Sequence, residues 1–598
     1  MLPRSITTER NLKVRLGRLL LILASASGIW AQQYVISTVA GGIDPVTNGA
    51  KDLSVMTPAG IAVDRSGNVY FSRPNVVFKL DPLGSISRFA GNSVAGYSGD
   101  GGPAMDAQLN FPVTYPELEH DFLDFEPLVG ALAVDSAGNV YIADAYNNRV
   151  RKVDTKGIIT TVAGDGNRGN SGDDGPASAA RFWWPQGVGL DSSDNLYIAD
   201  GNGTLRRVNS DGIITTLTGN NCGPGFQGPG LCAPEQISVD SKGNVFVPDG
   251  YCRVRKVSPD GNVITVAGND TQESRGFAFT CGYSVDGGPA TNAAMAWPYS
   301  VAVDASGNLY IADTYNSCIR KVDGAGIITT IAGVCGSPGY SGDGGPATAA
   351  RLAYPKGVTT DAAGNVFIAD TENSAIRLLQ PIDAVPIIHS VVNGASELAG
   401  PIAAGEIVIL HGANLGPPIL AKSQDSESKE VSATRVLFNG LPASIVYSWS
   451  TSVATLVPSS VQADTAEIIV ERYQTSTPAN VAVISSAPGF FTLDGSGQGQ
   501  LVALNEDGSL NAVEHPASPG SSITLFLTGE GRATQSEVGI NINNGTAQIL
   551  DLNDLSPGVT QIKVRVPNGR PADERCSVVA LIGAASTQAG ATIVIELK

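Results

Sequence analysis

Four aspartates recur in one setting. They are Asp100 in GYSGDGGPA from Gly96, Asp173 in NSGDDGPA from Asn170, Asp286 in YSVDGGPA from Tyr283 and Asp343 in GYSGDGGPA from Gly339. A repeated carboxylate among glycines suggests two roles: an oxygen ligand for calcium or another bound group, or the anchor of a tight turn. Calcium takes six to eight oxygens that converge from one loop, and a single Asp among glycines supplies too few. The turn reading is therefore preferred, with the Pro that follows opening one helical turn. Asp100, Asp173, Asp286 and Asp343 stay as the candidate binding residues, and calcium as the one cofactor weighed. A second set, Asp64, Asp135, Asp191, Asp240, Asp304 and Asp361, ends a recurring strand. Their near-identical surroundings favour a turn or packing role over a set of channel ligands.

Other chemistry is sparse. Of four histidines, only His120 falls before residue 384. There is no G-x-S-x-G elbow or P-loop, and the glycine richness belongs to turns. Six of the seven cysteines lie between 222 and 335. They lack zinc-type C-x-x-C spacing. The pairing expected is Cys222–Cys232, Cys252–Cys281 and Cys318–Cys335, one of the 15 that six cysteines allow. Cys576 is left over and expected to be buried.

The elements that must position these residues form a repeat. Its clearest copy is PYSVAVDASGNLYIADTYNSCIRKVDGAGIITTIAG from Pro298. Copies start at Pro58, near Gly130, and at Pro185, Pro234, Pro298 and Pro355, separated by inserts of variable length. Period-two alternation of β-branched residues between Gly, Asn and Asp turns reads as four short strands per unit. Four-stranded units repeated radially are propeller blades. The last unit stops at Leu379 without its IITTIAG strand, and YVISTVAG from Tyr34 supplies the missing piece. The expectation is an all-β, six-bladed propeller over 32–383, closed by residues 34–40 as the outer strand of the sixth blade. One face carries the long inserts, the other only tight Ser-Gly-Asn turns. The insert Tyr115–Leu128 is acidic and aromatic.

These units resemble NHL repeats, whose family fold is a six-bladed propeller. Members of that family include lyases, ligand binders and protein- or RNA-binding modules, so the resemblance implies fold rather than activity. The family's amidating lyases hold zinc with several histidines, which this propeller does not offer.

The repeat ends at Pro381. Strand-like runs such as EIVILHGANLG from Glu406 and SITLFLTGEGR from Ser522 suggest two Ig-like β-sandwich modules, 385–490 and 491–598. The segments NGAS at Asn393, VLFNGLPA at Val436, APGFFT at Ala487 and PGSSITLFLTGEG at Pro519 resemble an uncharacterised tail domain of secreted acidobacterial proteins. That likeness implies location and fold only.

The N-terminus, basic at Arg4, Arg10, Lys13, Arg15 and Arg18 and apolar from Leu19 to Leu23, reads as a signal peptide over 1–31. Losing its five basic residues and one Glu takes the net charge from −18 to −22. A chain so acidic repels phosphate backbones, which excludes nucleic acid as a partner. With 42% hydrophobic and 16% charged residues it is globular, and no later run is long enough to span a membrane. The expected protein is a monomer, secreted, periplasmic or attached to the cell envelope. Its expected role is non-catalytic: binding a surface protein or glycan, or scaffolding, through the insert-bearing face. The alternative is a metal-dependent lactonase or lyase working in the channel.

Overall fold

The computed structural model describes residues 33–41, 57–111, 130–219, 231–232, 234–249, 252–269, 282–284, 286–382, 384–529, 531, 537–568, 575–582 and 584–595. The expected leader 1–31, the insert Tyr115–Leu128, Cys222 and Cys281 lie outside them.

The structure is all-β. The described residues before Pro381 form six four-stranded antiparallel sheets. In the fifth, the strands are Pro298–Val303, Leu309–Asp313, Cys318–Val322 and Ile328–Ala332, as the repeat predicts. The first strand of each sheet touches the first strand of the next, and that of the sixth touches that of the first. This close approach requires small residues. A Cβ on Gly187 would stand 2.2 Å from the Glu235 carbonyl oxygen, and one on Gly357 2.2 Å from that of Ala59.

The sixth sheet is completed from the chain's other end. Tyr34–Gly41 pairs antiparallel with Ala375–Pro381, from Tyr34 opposite Pro381 to Gly41 opposite Ala375. It occupies the outer position that Ile328–Ala332 holds in the fifth sheet.

Two kinds of turn cap the sheets. At one end, each of Asp64, Asp135, Asp191, Asp240, Asp304 and Asp361 accepts the amide N–H groups two and four residues on, through Oδ1. Oδ2 accepts from the Asn side chain four residues on. These carboxylates are thus engaged by their own hairpins, as Asx turns are.

The inserts carrying Asp100, Asp173, Asp286 and Asp343 leave from the other end and dock along the outer strand of the following sheet. The Gly101 N–H donates to the Ile159 carbonyl, Asp174 to Ile214, Gly287 to Ile328 and Gly344 to Ile36. The last bond gives Ile36 the role that Ile159, Ile214 and Ile328 play elsewhere. The Pro-Ala step opens a short 3-10 turn each time: Ala104–Asp106, Ala177–Ala179, Ala290–Asn292 and Ala347–Ala349.

Beyond Pro381 a five-stranded sheet containing Ile407–Ala413 and a second sheet containing Thr465–Arg472 enclose one core, including Leu410, Phe438, Val453 and Ile468. From Gly489 a larger sheet surrounds another core, where Cys576 is buried. The first of these units abuts the turn-bearing end of the ring. Ile419 packs with Leu80 and Phe71, the Leu420 N–H donates to the Pro82 carbonyl at 2.6 Å, and Arg472 donates to Gln380. No helix among the described residues is long and apolar enough to cross a membrane.

Candidate binding site

The four predicted aspartates do not form a common site; each has its own arginine. Asp100 pairs with Arg151 at 2.6 Å, Asp173 with Arg206 at 2.5 Å, Asp286 with Arg320 at 2.9 Å and Asp343 with Arg377 at 2.8 Å. All four guanidinium groups are fully buried on the third strand of the sheet that the insert covers. Three of them also reach a buried aspartate at the end of the second strand: Asp144, Asp313 and Asp370. An aromatic ring lies against each arginine, from Tyr97, Phe182, Tyr283 and Tyr340. This Asp–Arg–Asp arrangement clasps insert to sheet, and sequence reading found only one of its three members.

Cys318 and Cys335 form a disulfide that ties the insert after the fifth sheet back to that sheet. Cys232 and Cys252 are each disulfide-bonded as well. In the second sheet Arg149 makes the comparable tether without a covalent bond, donating to the Asp165 carbonyl at 2.9 Å. A crosslink closing a loop of this length contributes about 3 kcal/mol through the unfolded chain. Replacing both Cys318 and Cys335 with Ser is expected to lower stability by about that much. Urea unfolding of the double variant checks this, and an unchanged midpoint would refute it.

A different set of residues converges at the mouth of the ring. Each first strand is entered through an insert, and in five of the six units through a proline. The residues after those prolines are Ala59, Gln186, Glu235, Tyr299 and Lys356. All five are buried. Glu235 and Lys356 interact electrostatically, and the Lys356 ammonium stands 5.8 Å from the centre of the Tyr299 ring. The Tyr299 and Tyr315 side chains also interact electrostatically. Burial pushes the Glu235 carboxyl up to about 8 despite Lys356. It pushes Lys356 below the usual lysine range, against the pull of Glu372 and Glu235. Neither Glu235 Oε2 nor Gln186 Oε1 has a hydrogen-bond partner among the described residues.

The residues before the prolines form a rim. Trp184, Trp297 and Tyr354 have φ of 63°, 48° and 47° and are half-buried. Bulky side chains avoid the left-handed region, and residues before proline favour extended backbone. The inserts therefore hold these rings in an uncommon conformation. Tyr315 packs between Trp297 and Tyr354, with ring centres 6.3 and 5.8 Å away, and is 49% exposed. Trp184 packs against Tyr146 and Trp183. Beneath the rim, the Gln236 amide crosses the ring to donate to the Ile61 carbonyl at 3.1 Å. The mouth is thus a cup with a polar floor and aromatic walls. Sequence reading had placed no such cluster at the axis. Its signal was a slot, directly after the strand-opening proline, where the repeat changes residue type from copy to copy.

Comparison with known proteins agrees with this architecture. A family model described as the teneurin NHL domain matches residues 164–223 and 278–338. The chain carries an NHL-repeat, propeller-like domain. Teneurin-4 of Mus musculus is 25% identical over 370 residues, covering 56% of this chain and 12% of its own length. Teneurin-1 of Mus musculus is 28% identical over 394 residues, covering 60% and 13%. The chain thus spans about an eighth of the length of these curated relatives. Two solved structures from Bacteroides thetaiotaomicron are similar to part of this chain. A protein of unknown function shows TM-score 0.41 and 20% identity over 58% of this chain and 76% of its own. An auxiliary nutrient binding protein shows TM-score 0.41 and 14% identity over 60% and 78%. A streptogramin B lyase structure shows TM-score 0.34 and 16% identity over 58% and 98%.

The raised Glu235 has a consequence for the NHL-repeat domain's stability. Between the ordinary glutamate range and about pH 8, the folded chain holds a proton that the unfolded chain releases. Stability from this group is therefore present at low pH and lost as pH rises to about 8. Glu235→Gln is expected to gain on the parent between pH 5 and pH 8, by up to about 1.4 kcal/mol per unit. Parallel denaturation midpoints for the two proteins across that range would refute the assignment.

Proposed function

We propose that this chain is a non-catalytic binding protein of the cell exterior that takes its ligand, a surface protein or glycan, over the insert-bearing mouth of a closed six-bladed propeller. The observation that carries the reading is the cup itself: Glu235, Tyr299 and Lys356 converge from three sheets beneath the rings of Trp297, Tyr315 and Tyr354. Rigid frames that present variable loops are a common source of binding sites. Disulfides suit export after cleavage of residues 1–31. Asp100, Asp173, Asp286 and Asp343 serve binding indirectly, by holding the inserts through their arginines, and calcium has no part in this reading. Two Ig-like modules, 385–490 and 491–598, serve as spacer or anchor, the first of them against the turn-bearing end of the ring.

The test is retention of the full chain on intact cells of the organism that makes it. Trp297→Ala with Tyr354→Ala should weaken retention at least about tenfold, as loss of aromatic anchors does. Lys242→Ala, on the turn-bearing face, should leave it unchanged. Retention indifferent to the double variant would refute the reading.

One observation favours a second reading. A carboxyl shifted up beside a lysine shifted down, in one cleft, also suits proton transfer, as in a lactonase or lyase. Lactones, esters and peptidyl-hydroxyglycine substrates, assayed with calcium or zinc and again after chelation, decide between the two. Turnover abolished by Glu235→Gln would replace binding with catalysis.

A further inference from the structure

We infer that the mouth of the ring seats the end unit of an uncharged saccharide, its C–H face on the aromatic rim and its hydroxyl edge on Glu235, Lys356 and Gln186. The inference rests on the binding reading above and narrows it to one class of ligand.

The walls and floor offer two different surfaces, and a pyranose has both complements. Its ring carries an apolar C–H face, which suits the flat, amphipathic rings of Trp297, Tyr315 and Tyr354. Its edge carries hydroxyls, each able to donate and accept at once. The floor has unmet capacity for such groups. Glu235 Oε2 and Gln186 Oε1 are buried without a hydrogen-bond partner among the described residues, an unfavourable state unless something arrives to meet them. A hydroxyl can satisfy Glu235 whether the carboxyl is protonated or ionised, which a fixed donor or acceptor cannot do.

Charge excludes the main competitors. Lys356 is met by Glu372, the first of the groups that oppose its shift, so the floor offers no unmatched charge to an anionic or a cationic group. The chain as a whole carries −18, which repels sulfated or phosphorylated polymers. A quaternary ammonium would want an aromatic cage free of cations, but the Lys356 ammonium already lies against Tyr299.

Depth fixes the mode of entry. Gln236 spans the ring to Ile61 beneath the cup, so a chain cannot thread through and must present an end. The left-handed backbone at Trp297 and Tyr354 fits this picture, since conformations that cost energy persist where a site needs them.

The experiment follows tryptophan fluorescence of the full chain during titration. The probes are neutral oligosaccharides ending in glucose, galactose, mannose, xylose or N-acetylglucosamine, with a sulfated oligosaccharide and tetramethylammonium as competitors of other charge. At least one neutral series should saturate, and Trp297→Ala should abolish the response. Glu235→Gln and Lys356→Met should each weaken binding roughly tenfold, as leaving a buried hydrogen-bonding group unmet does. Melting curves identify any variant that fails to fold, and the remaining variant then carries the test. The inference is overturned if no neutral series saturates, or if only the sulfated probe or tetramethylammonium binds. Should cells still retain the protein through Trp297 and Tyr354 while no saccharide competes, the saccharide assignment fails and the binding reading survives. Retention indifferent to those residues would instead remove the binding reading.

Discussion

A chain lacking residues 33–41 is expected to aggregate, or to melt roughly 10–20 °C below the full protein. The segment buries Ile36, Tyr34 and Ala40, at 0%, 4% and 5% exposure, and pairs along the whole of Ala375–Pro381. Burying an isoleucine and a tyrosine contributes about 5 kcal/mol together, and each kcal/mol moves the melting point of a domain this large by about 2–4 °C. Further contacts go with it. The Tyr34 hydroxyl lies 3.3 Å from that of Tyr310, the Thr38 hydroxyl 3.0 Å from that of Tyr340, and Gly344 donates to the Ile36 carbonyl. Deletion leaves Ile376, Leu378 and Leu379 on a bare strand edge, which invites pairing with another chain. Adding a peptide of residues 32–42 should restore part of the lost stability. A truncated chain that stays monomeric and melts within a couple of degrees of the parent would show that this strand does not hold the ring together.

That closing strand was legible because the repeat told where it was missing. A unit ending at Leu379 without its fourth strand, and an orphan copy at Tyr34, need only a comparison of short local patterns. The strands, the Asx turns after Asp64 and its counterparts, and the Cys318–Cys335 bond were legible for the same reason: each depends on residues close in sequence or in equivalent slots. The clasp was half legible. Asp343 stood out as a repeated carboxylate, but Arg377 lies 34 residues on, in a strand whose IR or VR step looks like ordinary alternation. Nothing local says that a strand residue facing a neighbouring insert will be an arginine with no access to water. The cup was least legible. Glu235, Tyr299 and Lys356 stand in three units, and only the curvature of the ring brings them together. Scanning for shared motifs passes over such a site, because its residues are the ones in which the repeats differ.

The second large effect belongs to that clasp. Arg377→Met is expected to destabilise the protein by about 3–5 kcal/mol near pH 8, the usual result of removing one partner from a buried ion pair. The guanidinium is fully buried and donates to Asp370 at 3.1 Å, Asp343 at 2.8 Å and the Ser341 carbonyl at 3.1 Å. Methionine keeps much of the apolar length and the contact with Tyr340, so the loss reports charge and hydrogen bonding rather than a cavity. Asp343, 41% exposed, can turn to water, but Asp370 cannot. Burial already holds Asp370 up at about 6, with Arg377 the first of the groups that oppose the shift. Without the arginine its carboxyl rises further. An acid whose folded pKa lies above its unfolded one destabilises the fold as pH climbs between the two. The defect should therefore be small near pH 4 to 5, where Asp370 takes a proton, and grow toward pH 8. Adding Asp370→Asn to Arg377→Met should recover much of the loss at pH 8 and flatten its pH dependence. Denaturation midpoints of the four proteins of this cycle, at pH 5 and pH 8, measure the coupling directly. A loss in Arg377→Met that is the same at both pH values, and that Asp370→Asn deepens rather than relieves, would mean that the arginine acts by packing alone.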